Sequence, residues 1–216
     1  MSIKSQSMNK KVYDYCQSIE GEFDLIPSTR KEELMVLSNY ILKKFKAKET
    51  PKLIVICTHN SRRSHLGQLW LAVGRNYYYL PEMKTYSGGT EATAFNPRAV
   101  KAMRNIGFQI ASKDEKVANP IYDITWKEDM IPYQAFSKKY ESEPNPKESF
   151  GAIMVCNSAD QGCPIVAGCD FRLSLPYEDP KAFDDTALES AKYAERCRQI
   201  GREMLFVLSE IRGNVK

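Results

Sequence analysis

The sequence contains no apolar run of the roughly 18 residues that a membrane-spanning helix requires. Its first segment, residues 1–20, also lacks the apolar stretch of a secretory signal peptide. The formal net charge of +4 is small and is not concentrated in any stripe. These absences argue against contact with membranes or nucleic acids. We therefore expect a cytoplasmic protein whose six cysteines are reduced at rest, so that any disulfide is transient or catalytic.

The first quarter of the chain differs in character from the remainder. A chain of 216 residues can bury a full core as one domain with an appendage. A capping box at Thr29-x-x-Glu32 precedes apolar residues at helical spacing, namely Leu34, Leu37, Tyr40, Ile41 and Phe45. A polar stretch ending at Pro51 then marks a junction. We predict an N-terminal helical extension over residues 1–50 and a larger domain over residues 51–216.

The larger domain alternates strands with helices. Short apolar runs predict strands at residues 53–57, 84–87, 151–156 and 173–175. Helical patterns follow the first two of these strands, and a long amphipathic helix closes the chain over residues 184–212. This alternation predicts an α/β fold with a parallel sheet that is covered by helices.

Residues 117–149 interrupt this alternation with four prolines and several charged residues. We interpret them as an inserted excursion with one short helix over residues 126–140. A loop of this length in a compact domain is usually a lid, a binding loop or a partner surface. Its aromatic residues predict that it packs down on the domain: Tyr122, Trp126, Tyr133 and Phe136.

The centre of the sequence is a strand, a tight polar loop and a helix start over residues 53–64. This arrangement binds anions, because loop N–H groups and the helix dipole both point at the ligand. Cys57 and Arg63 form a Cys-x5-Arg pattern within it, and Ser64 follows. The anion site favours the nucleophilic thiolate of Cys57, and Arg63 can bind a tetrahedral oxyanion through two hydrogen bonds. We predict that the loop binds substrate through Thr58, His59, Asn60, Ser61, Arg62, Arg63 and Ser64.

The plain alternative is a buried cysteine at a strand end near a surface arginine. The strand before Cys57 and the helix after it favour the catalytic interpretation. Asp179 lies in a loop beyond a later strand end, where a carboxylate can face the same site and act as general acid. Its alternative is an ordinary Asp-Pro turn.

Further cysteines follow the third predicted strand. Cys156 ends that strand, and open α/β sheets place their active sites at the carboxyl edge. We therefore expect Cys156 to lie near Cys57. Cys163 comes seven residues later, and Cys169 follows it. Buried structural cysteines are the alternative, and spacing alone favours that alternative slightly.

The loop Cys57-Thr58-x-Asn60-Ser61-x-Arg63-Ser64 resembles the phosphate-binding loop of the low-molecular-weight protein tyrosine phosphatase superfamily. That superfamily also contains the thioredoxin-coupled arsenate reductases. Residues 86–103, 156–164 and 178–180 resemble the reductase branch. The match covers most of residues 51–216 apart from the excursion. The resemblance implies a phosphatase-like catalytic domain, a three-layer sandwich with a four-stranded parallel sheet.

The resemblance also implies roles for individual residues. In the reductases a thiolate matching Cys57 attacks arsenate, and a cysteine matching Cys156 displaces arsenite. A cysteine matching Cys163 then resolves the disulfide, which thioredoxin reduces. In the phosphatases the thiolate forms a cysteinyl-phosphate, and the aspartate matching Asp179 protonates the leaving phenol. Three poised thiols favour an arsenate reductase with thioredoxin as partner, because hydrolysis needs no thiol–disulfide exchange.

A phosphatase for phosphotyrosine or another phosphoester is the alternative function. We predict no metal ligand and no cofactor. Two loop positions depart from the family: His59 stands at a usual glycine, and Arg62 replaces a second cysteine and is expected to add positive potential. A non-catalytic oxyanion-binding module is a third possibility, disfavoured because Cys57, Arg63 and Asp179 are all present.

The reductases' monovalent-cation site is also altered. Asn60 and Ser87 match it, but Gln68 and Lys116 stand where a glutamate and an aspartate are expected. We expect the Lys116 ammonium to occupy or repel that cation.

Overall fold

The computed structural model describes residues 8–162 and 165–214. The strands of this part of the chain are β1 (Lys52–Cys57), β2 (Lys84–Gly89), β3 (Gln109–Ser112), β4 (Tyr122–Thr125), β5 (Tyr133–Ala135), β6 (Phe150–Met154) and β7 (Cys169–Ser174). Its helices are α1 (Lys10–Glu20), α2 (Ser28–Lys46), α3 (Arg63–Tyr77), α4 (Pro97–Ile106), α5 (Asn157–Gly162) and α6 (Glu189–Arg212).

The central sheet has four parallel strands in the order β2-β1-β6-β7. Strand β1 lies in its interior because nearly all of its side chains are apolar and buried. Helix α3 packs on β1 and β2, while α6 packs against the other long helices. This confirms the predicted α/β fold and its four-stranded parallel sheet. The carboxyl ends of all four strands therefore lie at one edge, and the candidate site residues lie at or after the ends of β1, β6 and β7.

A glycine brings α3 close to the sheet. A Cβ atom on Gly67 would lie 2.9 Å from Cγ1 of Val55, a side chain of the central strand. Because no side chain intervenes there, the first turn of α3 lies directly on β1. The N-terminus of α3 is thereby held at the carboxyl end of that strand.

The two N-terminal helices pack against α6, and α2 also contacts β7 of the sheet. Helix α2 forms as its apolar spacing predicts, and it buries Leu34, Leu37 and Ile41 completely. Arg30 on the same helix forms an ion pair of 2.8 Å with the buried Glu203 of α6. The predicted junction at Pro51 falls between α2 and β1.

The helix predicted over residues 126–140 is wrong. Strand β5 lies in this region instead. It pairs antiparallel with β4, which in turn pairs antiparallel with β3, and the three form a separate sheet in the order β3-β4-β5. Alternating burial along β4, with Tyr122 and Ile124 inward, fits a strand with one covered face. Tyr122 and Trp126 are buried as expected, and Tyr122 packs edge-on against Phe95.

The last helix begins at Glu189 rather than at residue 184. A short 3-10 helix at Pro180–Phe183 precedes it, capped by the side chain of Asp179. No helix in residues 8–162 or 165–214 is long and apolar enough to cross a membrane.

Candidate active site

The loop between β1 and α3 surrounds the thiol of Cys57, which is buried. Its Sγ atom lies 3.1 Å from Oγ of Ser64. The side-chain amide of Asn60 donates to the same Oγ at 2.9 Å. Because Ser64 accepts from Asn60, its hydroxyl proton is free to point at the sulfur. The Ser64 hydroxyl is thus placed to stabilise a thiolate at Cys57.

The loop's left-handed residue is Asn60 (φ 43°), and His59 is not among the described residues with positive φ. Asparagine adopts this region more readily than most residues. Histidine at the usual glycine position therefore carries no backbone strain. The His59 ring is half exposed, and its Nε2 lies 3.6 Å from a carboxylate oxygen of Glu91.

Arg63, the first residue of α3, faces Asp179. Its Nη2 donates to Oδ2 of Asp179 at 2.6 Å, and its Nη1 donates to the carbonyl of Tyr177 at 2.8 Å. The Nε of Arg63 is buried and has no hydrogen-bond partner among the described residues. The guanidinium is therefore oriented by the Asp179 loop, while its Nε–H has no partner among the described residues.

Cys156 lies beside the same loop. The carboxyl ends of β1 and β6 are adjacent, with Val155 N donating to the carbonyl of Ile56 at 2.8 Å. One residue further on, the sulfur of Cys156 lies 3.4 Å from Oγ1 of Thr58, the neighbour of Cys57. The backbone N–H of Ala159 also approaches that sulfur at 3.4 Å. The structure thus brings a second thiol to the edge that carries Cys57.

The other two candidate thiols have different positions. Cys163 lies outside the described residues. Cys169 pairs with Phe150 at the opposite end of the sheet. Six residues of extended chain separate Phe150 from Cys156, so Cys169 lies about 20 Å from the loop at roughly 3.3 Å per residue.

The side chain of Arg62 is directed to α6. Its Nε donates to the hydroxyl of Tyr193 at 2.7 Å, and its Nη2 donates to Oδ2 of Asp184 at 3.1 Å. Burial raises the pKa of Tyr193 to about 12, and the Tyr193 hydroxyl donates to Oδ1 of Asp184 at 2.7 Å. The expected extra positive potential from Arg62 is therefore largely neutralised by Asp184.

A layer of buried polar side chains packs behind the loop and hydrogen-bonds to its backbone. His65 is stacked on Phe95, and burial lowers the pKa of His65 to about 3, so the ring is neutral. Its Nε2 lies 3.0 Å from the carbonyl of Asn60 and its Nδ1 lies 3.2 Å from Oγ of Ser87. A carbonyl only accepts, so Nε2 carries the proton and Nδ1 accepts from Ser87.

The excursion contributes to this layer, which the sequence did not indicate. Ser137 donates through Oγ to the carbonyl of His59 at 3.0 Å. The backbone N–H of Lys138 donates to Oδ1 of Asn60 at 2.9 Å. The ammonium group of Lys138 is buried, and this burial lowers the pKa of Lys138 to about 8.

The comparisons with known proteins agree with this geometry. No family model matches the chain. The arsenate reductase of Bacillus subtilis (strain 168) is 26% identical over 157 residues, which are 72% of this chain and 94% of that protein. The arsenate reductase of Bacillus licheniformis is 27% identical over 150 residues, 69% of this chain and 88% of that protein.

The fold is shared with a solved structure. A YwlE mutant from Bacillus subtilis superposes with a TM-score of 0.52 at 12% identity, over 74% of this chain and 98% of that one. A low-molecular-weight phosphotyrosine phosphatase from Vibrio cholerae O395 gives 0.49 at 12% identity, over 74% and 95%. The chain is therefore similar in sequence to curated arsenate reductases and similar in fold to the YwlE structure. Its similarity to these reductases indicates that it is an enzyme.

The expectation that the Lys116 ammonium occupies or repels the cation stays a prediction. Lys116 is exposed in the turn after β3, whereas the two matched cation-site residues, Asn60 and Ser87, are completely buried. The buried lysine beneath the loop is Lys138 instead. Among the described residues no group of three or more His, Cys, Asp or Glu side chains is arranged to hold a metal ion.

Proposed function

We propose that this enzyme reduces arsenate to arsenite, with Cys57 as nucleophile and with Cys156 and Cys163 as the thiols that follow it. The observation that supports this proposal is the thiol of Cys156 beside the loop, 3.4 Å from the side chain of Thr58. Hydrolysis of a phosphoester has no use for a second thiol at this position. We propose the cytoplasm as its compartment and thioredoxin as its reductant.

Arsenate binding involves a change of partner for Arg63. The oxyanion accepts the loop N–H groups at the start of α3 and the unused Nε–H of Arg63. It competes with Asp179 for the remaining guanidinium N–H groups, since Asp179 holds one of them at 2.6 Å. Binding therefore frees the Asp179 carboxylate from Arg63, and beside the bound anion it takes up a proton from solvent, which it can then donate.

The first chemical step forms a bond between sulfur and arsenic. The Cys57 thiolate attacks arsenic, and one As–O bond breaks. The departing oxygen takes a proton from Asp179 and a proton from the bound arsenate, and leaves as water. The Ser64 hydroxyl, 3.1 Å from the sulfur, holds the thiolate before the attack.

The second step transfers two electrons. The Cys156 thiolate attacks the Cys57 sulfur, the S–As bond breaks, and its electron pair stays on arsenic, which leaves as arsenite. Cys163 then attacks the sulfur of Cys156, so that Cys57 departs as a thiolate and a Cys156–Cys163 disulfide remains. A dithiol such as thioredoxin reduces that disulfide by the same exchange chemistry.

A phosphatase is the second candidate, supported by the position of Asp179 against Arg63. The loop, Cys57 and a proton donor are sufficient for hydrolysis through a cysteinyl-phosphate. In that reaction Asp179 protonates the leaving phenol, and water then releases phosphate. Neither Cys156 nor Cys163 takes part.

Thiol counting under single-turnover conditions tests the proposal. With excess arsenate and no reductant, the enzyme is expected to release one equivalent of arsenite and lose two thiols. Cys156→Ser is expected to release none. Cys169→Ser is the matched control and should behave like the wild type, because Cys169 lies at the opposite end of the sheet.

The same variants are assayed with an aryl phosphate. Many turnovers of hydrolysis without thiol loss, unaffected by Cys156→Ser and accompanied by no arsenite formation, would establish the phosphatase instead.

A further inference from the structure

The segment that carries Asp179 joins β7 to α6 and spans residues 175–188. Its first part is tied to the sheet, with backbone N–H groups of Leu175 and Tyr177 donating to residues at the end of β6. The backbone bonds of its second part run within the segment, from Asp184 to Lys181 and from Thr186 to Phe183. Side chains therefore have to fix the second part relative to the loop.

Arg62 makes that connection from the loop itself. Its side chain is about one-tenth exposed, and it bonds Asp184 at 3.1 Å and the Tyr193 hydroxyl at 2.7 Å. Tyr193 also donates to Asp184 at 2.7 Å, which closes a three-membered ring of hydrogen bonds. The Nε of Arg62 lies 3.9 Å from Oδ1 of Asp179. One guanidinium thus reaches both ends of the 3-10 helix that follows Asp179.

Arg98 of α4 holds the outer side of the segment. It pairs with Asp185 and Glu189 at 2.6 Å each and approaches Asp184 at 3.7 Å. These partners are more exposed than those of Arg62, and they lie further along the chain from Asp179. Arg98 stabilises the segment as a whole, whereas Arg62 is the connection to the substrate-binding loop.

Arg62 and Arg63 are consecutive, and their side chains diverge. Arg63 holds Asp179 directly at 2.6 Å. Once Arg63 turns to the oxyanion, that direct bond is lost. The anchor through Asp184 and Tyr193 then remains, and it starts from the residue next to Arg63. Because Arg62 and Arg63 are consecutive, this anchor keeps the Asp179 carboxylate at a fixed distance from the oxyanion that Arg63 binds.

We propose that Arg62 is a positioning residue, which keeps Asp179 over the bound oxyanion by anchoring Asp184 and Tyr193. The inference rests on the proposed role of Asp179 as proton donor. The side chain of Arg62, which is held by Tyr193 and Asp184, acts on neither the substrate nor the reacting sulfur. Its contribution is to the rate of the proton-assisted step and not to anion affinity.

A double-mutant cycle between Arg62→Met and Asp179→Asn tests the proposal, on whichever of arsenate and aryl phosphate the enzyme turns over. Arg62→Met is expected to lower the rate at saturating substrate about tenfold, because a small misplacement of a reacting group has effects of this size. The substrate concentration that gives half of the maximal rate should change less than about twofold. Arg62→Lys should restore part of the rate that Arg62→Met loses. In the Asp179→Asn background, Arg62→Met should have no further effect.

Controls separate positioning from a general loss of stability. Arg198→Met removes an arginine that pairs with Glu22 at 2.6 Å and bonds Ser18, both outside the Asp179 segment, and should leave the rate unchanged. Tyr193→Phe removes only the hydroxyl of the ring and should lower the rate in the same direction by a smaller factor. Hydrogen exchange over residues 180–188 should rise at least about tenfold in Arg62→Met and stay unchanged in Arg198→Met.

The possible outcomes are distinguishable. Rate losses that multiply in the double variant, or unchanged exchange over residues 180–188, would overturn the inference about Arg62 alone. A wild-type rate in the single variant Asp179→Asn would overturn the proposed role of Asp179, and the inference about Arg62 with it.

Discussion

The buried ammonium of Lys138 gives a stability prediction with a defined pH dependence. Its Nζ donates to the carbonyl of Phe136 at 3.4 Å and lies 4.5 Å from the centroid of the Phe136 ring. Burial alone lowers the pKa of Lys138 from 10.5 to about 8, with no compensating carboxylate among the described residues. The neighbouring His65 is neutral, because its own pKa is lowered to about 3.

The size of the effect follows from the two pKa values. Each pKa unit corresponds to about 1.4 kcal/mol, so the charged form costs about 3 kcal/mol of unfolding free energy below pH 8. Between pH 8 and 10.5 the unfolded chain binds more protons than the folded one, so stability rises with pH in that window. The cost falls to about 1.5 kcal/mol at pH 9.5 and disappears above 10.5.

Replacing Lys138 by methionine removes the charge at similar volume. We expect Lys138→Met to raise the free energy of unfolding by about 3 kcal/mol at pH 7 and by about half of that at pH 9.5. Urea denaturation at the two pH values measures the difference. Lys139→Met is the control, because that side chain is exposed, and its effect should stay within about 0.5 kcal/mol. A gain that is equal at both pH values, or a destabilised Lys138→Met, would refute the reasoning.

Three further predictions concern the loop, the cation and the N-terminal helices. Cys57→Ser and Arg63→Ala should each abolish turnover without changing the circular dichroism spectrum, and residual activity in Cys57→Ser would exclude Cys57 as nucleophile. Potassium and sodium at equal ionic strength should give equal activity and melting temperature, because the side chains that match the family's cation site already have partners; selective stimulation by potassium would contradict this. Leu37→Ala should cost about 2–5 kcal/mol, measured by urea unfolding, whereas the half-exposed Val36→Ala should cost less than about 0.5 kcal/mol.

Local sequence patterns were sufficient for the sheet and for the loop. The run that forms β1 is apolar throughout, and the polar loop and helix start follow it directly, so each element is visible within a dozen residues. The position of Cys156 follows from the same reasoning, because parallel strands end at one edge. These features depend on neighbours in the sequence or on one general rule of sheet topology.

The missed features depend on distant parts of the chain. Strand β4 is only four residues long and is defined by its pairing with β3, which the prolines nearby gave no reason to expect. Lys138 bonds Asn60, which is 78 positions away in the sequence, and Arg62 bonds Tyr193, which is 131 positions away. An arginine in an anion-binding loop is naturally expected to face the anion. Asp184, the carboxylate that holds the Arg62 side chain away from the anion site, lies far along the chain, and no local sequence pattern identifies it.

The most direct test of the proposed reaction is a disulfide map after one turnover. The enzyme is treated with arsenate in the absence of reductant, alkylated, digested and analysed by mass spectrometry. The account predicts a single new disulfide between Cys156 and Cys163, with Cys57 alkylated as a free thiol and one equivalent of arsenite released. All six cysteines recovered as free thiols, from enzyme that hydrolyses an aryl phosphate in the same buffer, would contradict it.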